Sequence, residues 1–199
     1  GALAAKERDQ LFIGTKCAYE GGSDRALIHR QFDESRKRLG MDCVDLLYIH
    51  KWNDVTPLEE TFATLAELLN DGKIRFVGVS NFSAWQVMKS DQVARSFGID
   101  IAALQPMYNL VKRQVEVEIL PMAQSEGFQV FPYSPLGGGL LTGKYAAGQT
   151  GRLEADSRYA ARYAPGWMRE AAANLAKLAS NMGTDAATLA VAWVARNPA

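Results

Sequence analysis

The chain is poor in the residues that would mark several common kinds of chemistry. In 199 residues it carries two cysteines, Cys17 and Cys43, and two histidines, His29 and His50. The cysteines form neither a C-x-x-C pair nor a metal-spaced cluster, so no disulfide framework and no metal site is expected. Two isolated thiols suit a reduced, cytoplasmic setting. No apolar run approaches the roughly 20 residues of a membrane span. Gly1 to Gln10, with charges set among alanines, lacks the apolar core of a signal peptide. Neither charge is in excess, because 22 Lys and Arg offset 22 Asp and Glu. That balance disfavours nucleic acid or an anionic membrane as a partner. No G-x-G-x-x-G follows an early strand, which disfavours a doubly wound dinucleotide-binding sheet.

What is present is the material for one substantial core, at 48% hydrophobic residues, and a single domain over 1–199 is expected. Gly1 to Glu7 has the look of the last turns of a helix. Leu11 to Lys16 reads as a strand, and Ser23 or Asp24 as the N-cap of a helix that stops at Gly40. Val44, Leu46, Leu47, Tyr48 and Ile49 form an apolar run of strand formers, the pattern of a strand covered on both faces. Thr56, Pro57 and Glu59 predict a capped helix start. Ile74 to Val79 is a further strand, and Ser83 with Gln86 a second capping box. Ile99 to Met107 and Phe128 to Tyr133 read as strands, separated by a helix over about Gln114 to Gln124. Ala146 to Gly166 predicts a long polar loop, of the kind that is functional or mobile. Alanine-rich helices follow from Met168 to Met182 and, capped by Thr184, towards the end.

Strand and helix thus alternate at about 30 residues, the size of a βα unit, and right-handed crossovers would lay the strands in one parallel sheet. Five such units fit an open sheet by count; a closed barrel needs eight. The strands end on Lys16, His50, Ser80-Asn81, Gln105 and Tyr133-Ser134. Each taken alone has an ordinary explanation: Lys16 a solvated lysine, His50 a core histidine, Asn81 a cap, Tyr133 core aromatic, and Gly137-Gly138-Gly139 a flexible turn. Parallel α/β sheets gather their chemistry outside the carboxyl ends of the strands. Polar groups at five successive strand ends therefore point to one functional face.

The blocks L-F-I-G-T-K, D-L-L-Y-I-H, G-K-I-R-F-V-G-V-S-N-F, L-Q-P-M-Y-N-L and P-Y-S-P-L-G-G-G-L-L-T-G-K-Y, in this order, resemble the aldo-keto reductase superfamily. The resemblance implies an α/β fold, a (β/α)8 TIM barrel that is incomplete here: the third to seventh βα units and part of the preceding helix. It implies NADP(H)-dependent reduction of aldehydes or ketones, with a small-molecule carbonyl substrate. Lys16 and His50 would be catalytic. Ser80, Asn81 and Gln105 would hold the nicotinamide carboxamide, Tyr133 would stack on its ring, and Ser134, Leu136, Gly138 and Lys144 would lie along the pyrophosphate and ribose.

The residue types suit that chemistry. An ammonium such as Lys16 lowers the pKa of a neighbouring phenol, and an imidazole such as His50 can donate to a carbonyl oxygen and orient it. Glycine amides approach phosphate closely. The tyrosine and aspartate of the family's catalytic group have no match in these residues, nor does its loop for the 2′-phosphate. Five strands cannot close such a barrel, so open strand edges and an inactive isolated chain are expected. Two other classes remain: a non-enzymatic, reductase-like nucleotide-binding subunit of the potassium-channel β type, and a Schiff-base aldolase using Lys16. Trp52 would line an aromatic pocket or pack on a loop. Arg152, Arg158 and Arg162 are expected to be solvated charges or to fold over the pyrophosphate. His29 is expected at the surface, and Trp85, Trp167 and Trp193 as packing residues.

Overall fold

The computed structural model describes residues 7–198; the helical turns expected over Gly1 to Glu7 fall almost entirely outside them. The chain divides into two compact units, one made of 1–106 and 125–131, the other of 107–124 and 132–199.

In the first unit the strands are β1 (Gly14–Cys17), β2 (Val44–Ile49), β3 (Ile74–Ser80), β4 (Ile101–Gln105) and β5 (Gln129–Val130). They form a parallel sheet in chain order, β1-β2-β3-β4-β5. Between them run α1 (Arg25–Leu39), α2 (Leu58–Asn70) and α3 (Ala84–Ser96). This is the α/β architecture of an incomplete barrel. Among the described residues β1 and β5 are the outer strands, as an open sheet requires. On this unit Phe12, Phe76 and Phe131 stay 60%, 41% and 49% exposed.

The apolar run around β2 is buried at all six positions, which is why it has no alternation. One of those six is charged. Asp45, 1% exposed, accepts from the Ile13 N–H at 2.8 Å and pairs with Arg8 at 2.8 Å and Arg75 at 3.0 Å. Burial alone would raise its pKa, but these bonds hold the carboxyl below its usual range. Tyr48 lies across Gly78, where an added Cβ would sit 2.5 Å from Tyr48 Cε1 and 2.8 Å from the Ala103 carbonyl oxygen. Glycine is therefore required there by close approach. Outside the sheet, Ile28 and Phe32 of α1 and Phe62, Leu65 and Leu68 of α2 are buried.

Asp24 is the N-cap of α1, accepting from the Leu27 N–H at 3.0 Å, and Gly40 closes that helix at φ 69°. Gln86 Oε1 accepts from the Ser83 N–H at 2.8 Å at the start of α3. The start of α2 differs from expectation. Its N-cap is Pro57 and no side chain caps it. Thr56 Oγ1 is instead taken by the Ser23 N–H at 2.9 Å, while Asn53 Oδ1 accepts from the Thr56 N–H.

The second unit is helical. It holds a 3-10 turn at Gln114–Glu116, another at Gly137–Thr142, and helices α5 (Arg152–Ala155), α6 (Ser157–Arg162), α7 (Gly166–Asn181) and α8 (Ala186–Ala195). Helix α4 (Ile119–Glu126) runs across the boundary between the units in sequence. The expected long loop over 146–166 is thus corrected to two short helices. Leu153 and Tyr163, 7% and 1% exposed, bury into a cluster with Leu140, Leu141, Met168 and Leu175. Two buried side chains suffice to order a stretch whose average composition is polar. The last helix is capped by Asp185, which accepts from the Thr188 N–H at 2.8 Å, and not by Thr184. The strand expected over 128–133 is regular only at Gln129–Val130, with an isolated parallel bridge at Met107–Tyr133. Trp85 and Trp167, expected to pack, are 60% and 55% exposed. Trp193 does pack, 5.1 Å from the Tyr108 ring and 5.3 Å from the Arg113 guanidinium. His29 is half-buried and reaches Glu67 at 3.4 Å.

Candidate active site

In the sheet unit, the parallel register sets the strand ends level: Cys17 faces Ile49, Ile49 faces Val79, and Ser80 faces Gln105. Beyond the ends, hydrogen bonds join the polar residues to one another. The His50 N–H donates to the Cys17 carbonyl at 2.8 Å. Asn81 Nδ2 donates to the His50 carbonyl at 2.8 Å and to Ser80 Oγ at 3.0 Å. Ser80 Oγ donates in turn to the Gln105 carbonyl at 2.8 Å. Asn81 reaches both partners because its backbone is left-handed, at φ 57°, a conformation asparagine tolerates better than most residues. His50, Ser80, Asn81 and Gln105 are therefore one connected group. Ser80 is 1% exposed, whereas His50 and Gln105 are half-buried.

Lys16, one residue before the end of β1, is half-buried with its ammonium 5.6 Å from the centroid of the Tyr48 ring. Burial lowers its pKa. Burial also lowers that of His50, and the Lys16 charge pushes in the same direction. A neutral imidazole near neutral pH keeps one N–H to donate and one lone pair to accept. Tyr48 is unsuited to proton transfer, since burial pushes its phenol up to about 12. Cys17, beside Lys16, is likewise raised to about 12 and is inert as a nucleophile. Tyr19, which no family motif recommends as a substitute for the unmatched tyrosine, has its ring 4.8 Å from that of His50. It gets there through a left-handed turn at Ala18, φ 63°, which no glycine or asparagine advertises.

The remaining candidates belong to the helical unit. Tyr133 forms the isolated bridge with Met107, and its carbonyl accepts from the Tyr108 N–H at 3.2 Å. Ser134 is left-handed at φ 57°, and its carbonyl accepts from Asn109 Nδ2 at 2.9 Å. Asn109 is fully buried and also donates to the Tyr163 hydroxyl at 3.1 Å. After Leu136 come three successive left-handed glycines, Gly137, Gly138 and Gly139, at φ 58°, 67° and 94°. The run closes on itself, the Gly137 N–H donating to the Ser134 carbonyl at 3.0 Å and the Gly139 and Leu141 N–H groups to the Leu136 carbonyl at 3.0 and 3.1 Å. A Cβ at Gly138 would meet the Tyr159 ring at 2.8 Å, and one at Gly139 would meet Lys144 Cε at 2.8 Å. Tyr145 braces the loop, its hydroxyl donating to the Gly138 carbonyl at 2.9 Å and accepting from the Leu153 N–H at 3.1 Å.

Arg152 and Arg162 stack on Tyr159, at 4.8 and 5.0 Å from the ring centroid, while Arg158 pairs with Asp156. A hydrogen bond with Ser134 and the Arg152 charge hold the Tyr159 phenol below its usual pKa. The glycine loop thus lies against Tyr159 and Lys144; Arg152 and Arg158 are exposed, in the expected solvated pattern, while Arg162 is half-buried. Among the described residues, no cluster of three or more His, Cys, Asp or Glu side chains is placed to hold a metal ion. No helix there is long and apolar enough to cross a membrane.

A family model described as the aldo/keto reductase family matches residues 1–199. The L-glyceraldehyde 3-phosphate reductase of Escherichia coli (strain K12) is 32% identical over 97% of this chain and 60% of its own length. A probable voltage-gated potassium channel subunit beta of Oryza sativa subsp. japonica is 34% identical over 96% of this chain and 62% of its own. The aflatoxin B1 aldehyde reductase member 2 of Mus musculus is 41% identical over 59% of this chain and 32% of its own. The chain spans about 60% of the length of the first two relatives.

Proposed function

Because the chain belongs to the aldo/keto reductase family, we propose that the protein it comes from is an NADP(H)-dependent reductase of aldehydes or ketones, acting in the cytoplasm on small carbonyl compounds from a single barrel domain. NADPH, when bound, supplies the hydride for the carbonyl carbon. The chain's own residues bind, orient and manage charge. Ser80, Asn81 and Gln105 carry the amide and hydroxyl groups that a carboxamide would hydrogen-bond, and Tyr133 the ring that would lie against the nicotinamide. Ser134, Leu136, Gly138 and Lys144 would take the pyrophosphate and ribose. The fit of the glycine loop to that load rests on its lack of room for a Cβ and on the nearness of the Lys144 ammonium.

His50 donates a hydrogen bond to the carbonyl oxygen and fixes its direction. Lys16 favours the phenolate of the tyrosine that, by the family pattern, completes the catalytic group. That tyrosine and its aspartate have no match in these residues, so the 199-residue chain by itself is expected to be inactive. The single observation that carries the reading is the hydrogen-bonded chain from His50 through Asn81 and Ser80 to Gln105. It holds four of the site positions to a fixed geometry, which is what a hydride acceptor needs from its surroundings.

The test is a titration of NADPH fluorescence with the full-length protein, followed by turnover of a panel of aldehydes. Saturable quenching that is lost in Tyr133→Ala is the expected result, with kcat falling about 100-fold in His50→Gln. A Tyr133→Ala protein that quenches as wild type does would remove the stacking role. NADPH binding without turnover of any carbonyl would favour a non-catalytic nucleotide-binding subunit, the reading the Oryza sativa relative's name suggests. Borohydride trapping of substrate on Lys16 would favour an aldolase instead.

A further inference from the structure

Asn109, in the helical unit, is 0% exposed. Its backbone exchanges both hydrogen bonds of a tight turn with Lys112, at 3.1 and 3.0 Å, and its Oδ1 accepts from the Val111 N–H at 3.1 Å. These bonds shape the local turn, and an aspartate would make them as well. The amide nitrogen reaches out of the turn. It donates to the Ser134 carbonyl at 2.9 Å and to the Tyr163 hydroxyl at 3.1 Å, which commits both of its hydrogens. Tyr163 is itself fixed. It is 1% exposed, its hydroxyl donates to Met107 Sδ at 3.6 Å, and a Cβ at Gly137 would sit 3.3 Å from its ring. The long reach of the Asn109 amide therefore has its effect at Ser134. That residue is left-handed at φ 57°, a conformation that costs a serine more than a glycine. The same Ser134 carbonyl accepts from the Gly137 N–H at 3.0 Å, the bond that closes the first turn of the glycine loop. The direction of this one carbonyl sets the course of the backbone into Gly137 and Gly138.

We propose that Asn109 is a positioning residue for the dinucleotide: it holds Ser134 in its left-handed turn and so keeps the glycine loop in the one shape that receives the pyrophosphate. The proposal rests on the nucleotide-dependent reductase reading above. Asn109 acts here through Ser134 and touches neither cofactor nor substrate. Its removal leaves a buried carbonyl short of a partner and a serine free to leave a costly conformation. The loop that must meet the pyrophosphate then has to be reordered on binding, and affinity for the nucleotide falls. The reacting groups at the strand ends of the sheet unit are not part of this network, so the loss belongs to binding and not to the chemical step.

The test measures the Kd of full-length wild type, Asn109→Asp and Asn109→Ser for NADPH and for 2′-phospho-ADP-ribose, which keeps the pyrophosphate and lacks the nicotinamide. Asn109→Asp keeps the side-chain shape and the Val111 bond, and Asn109→Ser keeps the site uncharged, so a folding failure of one leaves the other to decide. Both Kd values are expected to rise about tenfold and by the same factor, with kcat at saturating NADPH within about threefold of wild type. Adding Ser134→Gly should recover most of the lost affinity, because glycine takes the left-handed turn unaided, whereas adding Ser134→Ala should recover none. A folded variant with both Kd values within about twofold of wild type would overturn the proposal, whatever happens to the unfolding midpoint. So would a loss confined to NADPH, which would put the effect at the nicotinamide, or equal recovery by Ser134→Gly and Ser134→Ala. If wild type binds neither ligand, and neither NADH nor ADP-ribose, it is the nucleotide reading that fails, and the proposal falls with it.

Discussion

The sheet unit and the helical unit hold themselves together differently. In the sheet unit the buried residues are large and consecutive: all six positions of β2 are covered, and Phe32, Phe62, Leu65 and Leu68 pack outside the sheet. In the helical unit four of the eleven fully buried members of the main cluster are alanines, Ala172, Ala179, Ala186 and Ala190. Its shape comes as much from backbone turns, with left-handed residues at Ser134, Gly137, Gly138, Gly139 and Gly143. Continuous apolar area stabilises the first in bulk; single bonds at single positions shape the second. Errors should therefore be severe and local to packing in one, and small and local to caps in the other.

The largest expected effect is Gly78→Ala. The new Cβ has no space between Tyr48 and the Ala103 carbonyl, and a loss of about 3 kcal/mol is expected in chemical denaturation. A loss below about 1 kcal/mol would show that the sheet yields more easily than its packing implies. Next is Asp45→Ala, which strands the Ile13 N–H and leaves Arg8 and Arg75 without their shared carboxylate. Both arginines keep contact with solvent, so the expected cost is about 2 kcal/mol and not the larger figure for a sealed ion pair. In the helical unit, Asp185→Ala removes a formed cap and should cost about 1 kcal/mol. Thr184→Ala beside it should stay within about 0.5 kcal/mol. Equal losses at 184 and 185 would contradict the cap assignment.

The same contrast governs how much could be read beforehand. The limits of β2, the Asp24 cap, the Gly40 stop and the Gln86 bond to Ser83 were legible because each depends on neighbours a few residues away in sequence. The strand-end polar residues were legible for a similar reason, since alternating strands and helices bring every strand end to one side. The start of α2 was not. Thr56 is a fine cap by type, but Ser23, distant in sequence, takes its hydroxyl. Asp45 hides inside an apolar run because its three partners come from two distant segments, the stretch before β1 and strand β3. The short helices within 152–162 depend on two side chains, Leu153 and Tyr163, finding a cluster that composition averages away. Tyr19 reaches His50 through a turn at an alanine, a residue with no turn preference to read.

The order of the sheet has a consequence for how the protein comes into being. Each strand pairs with the one made just before it, so a chain leaving the ribosome never has to hold a strand in waiting for a distant partner. Every new strand adds to an edge already present, and every loop to be closed is about one βα unit long. Assembly in this order keeps the number of unpaired edges constant as the sheet grows. The surface at risk of wrong pairing during synthesis is then set by the two outer edges and does not grow with the number of strands.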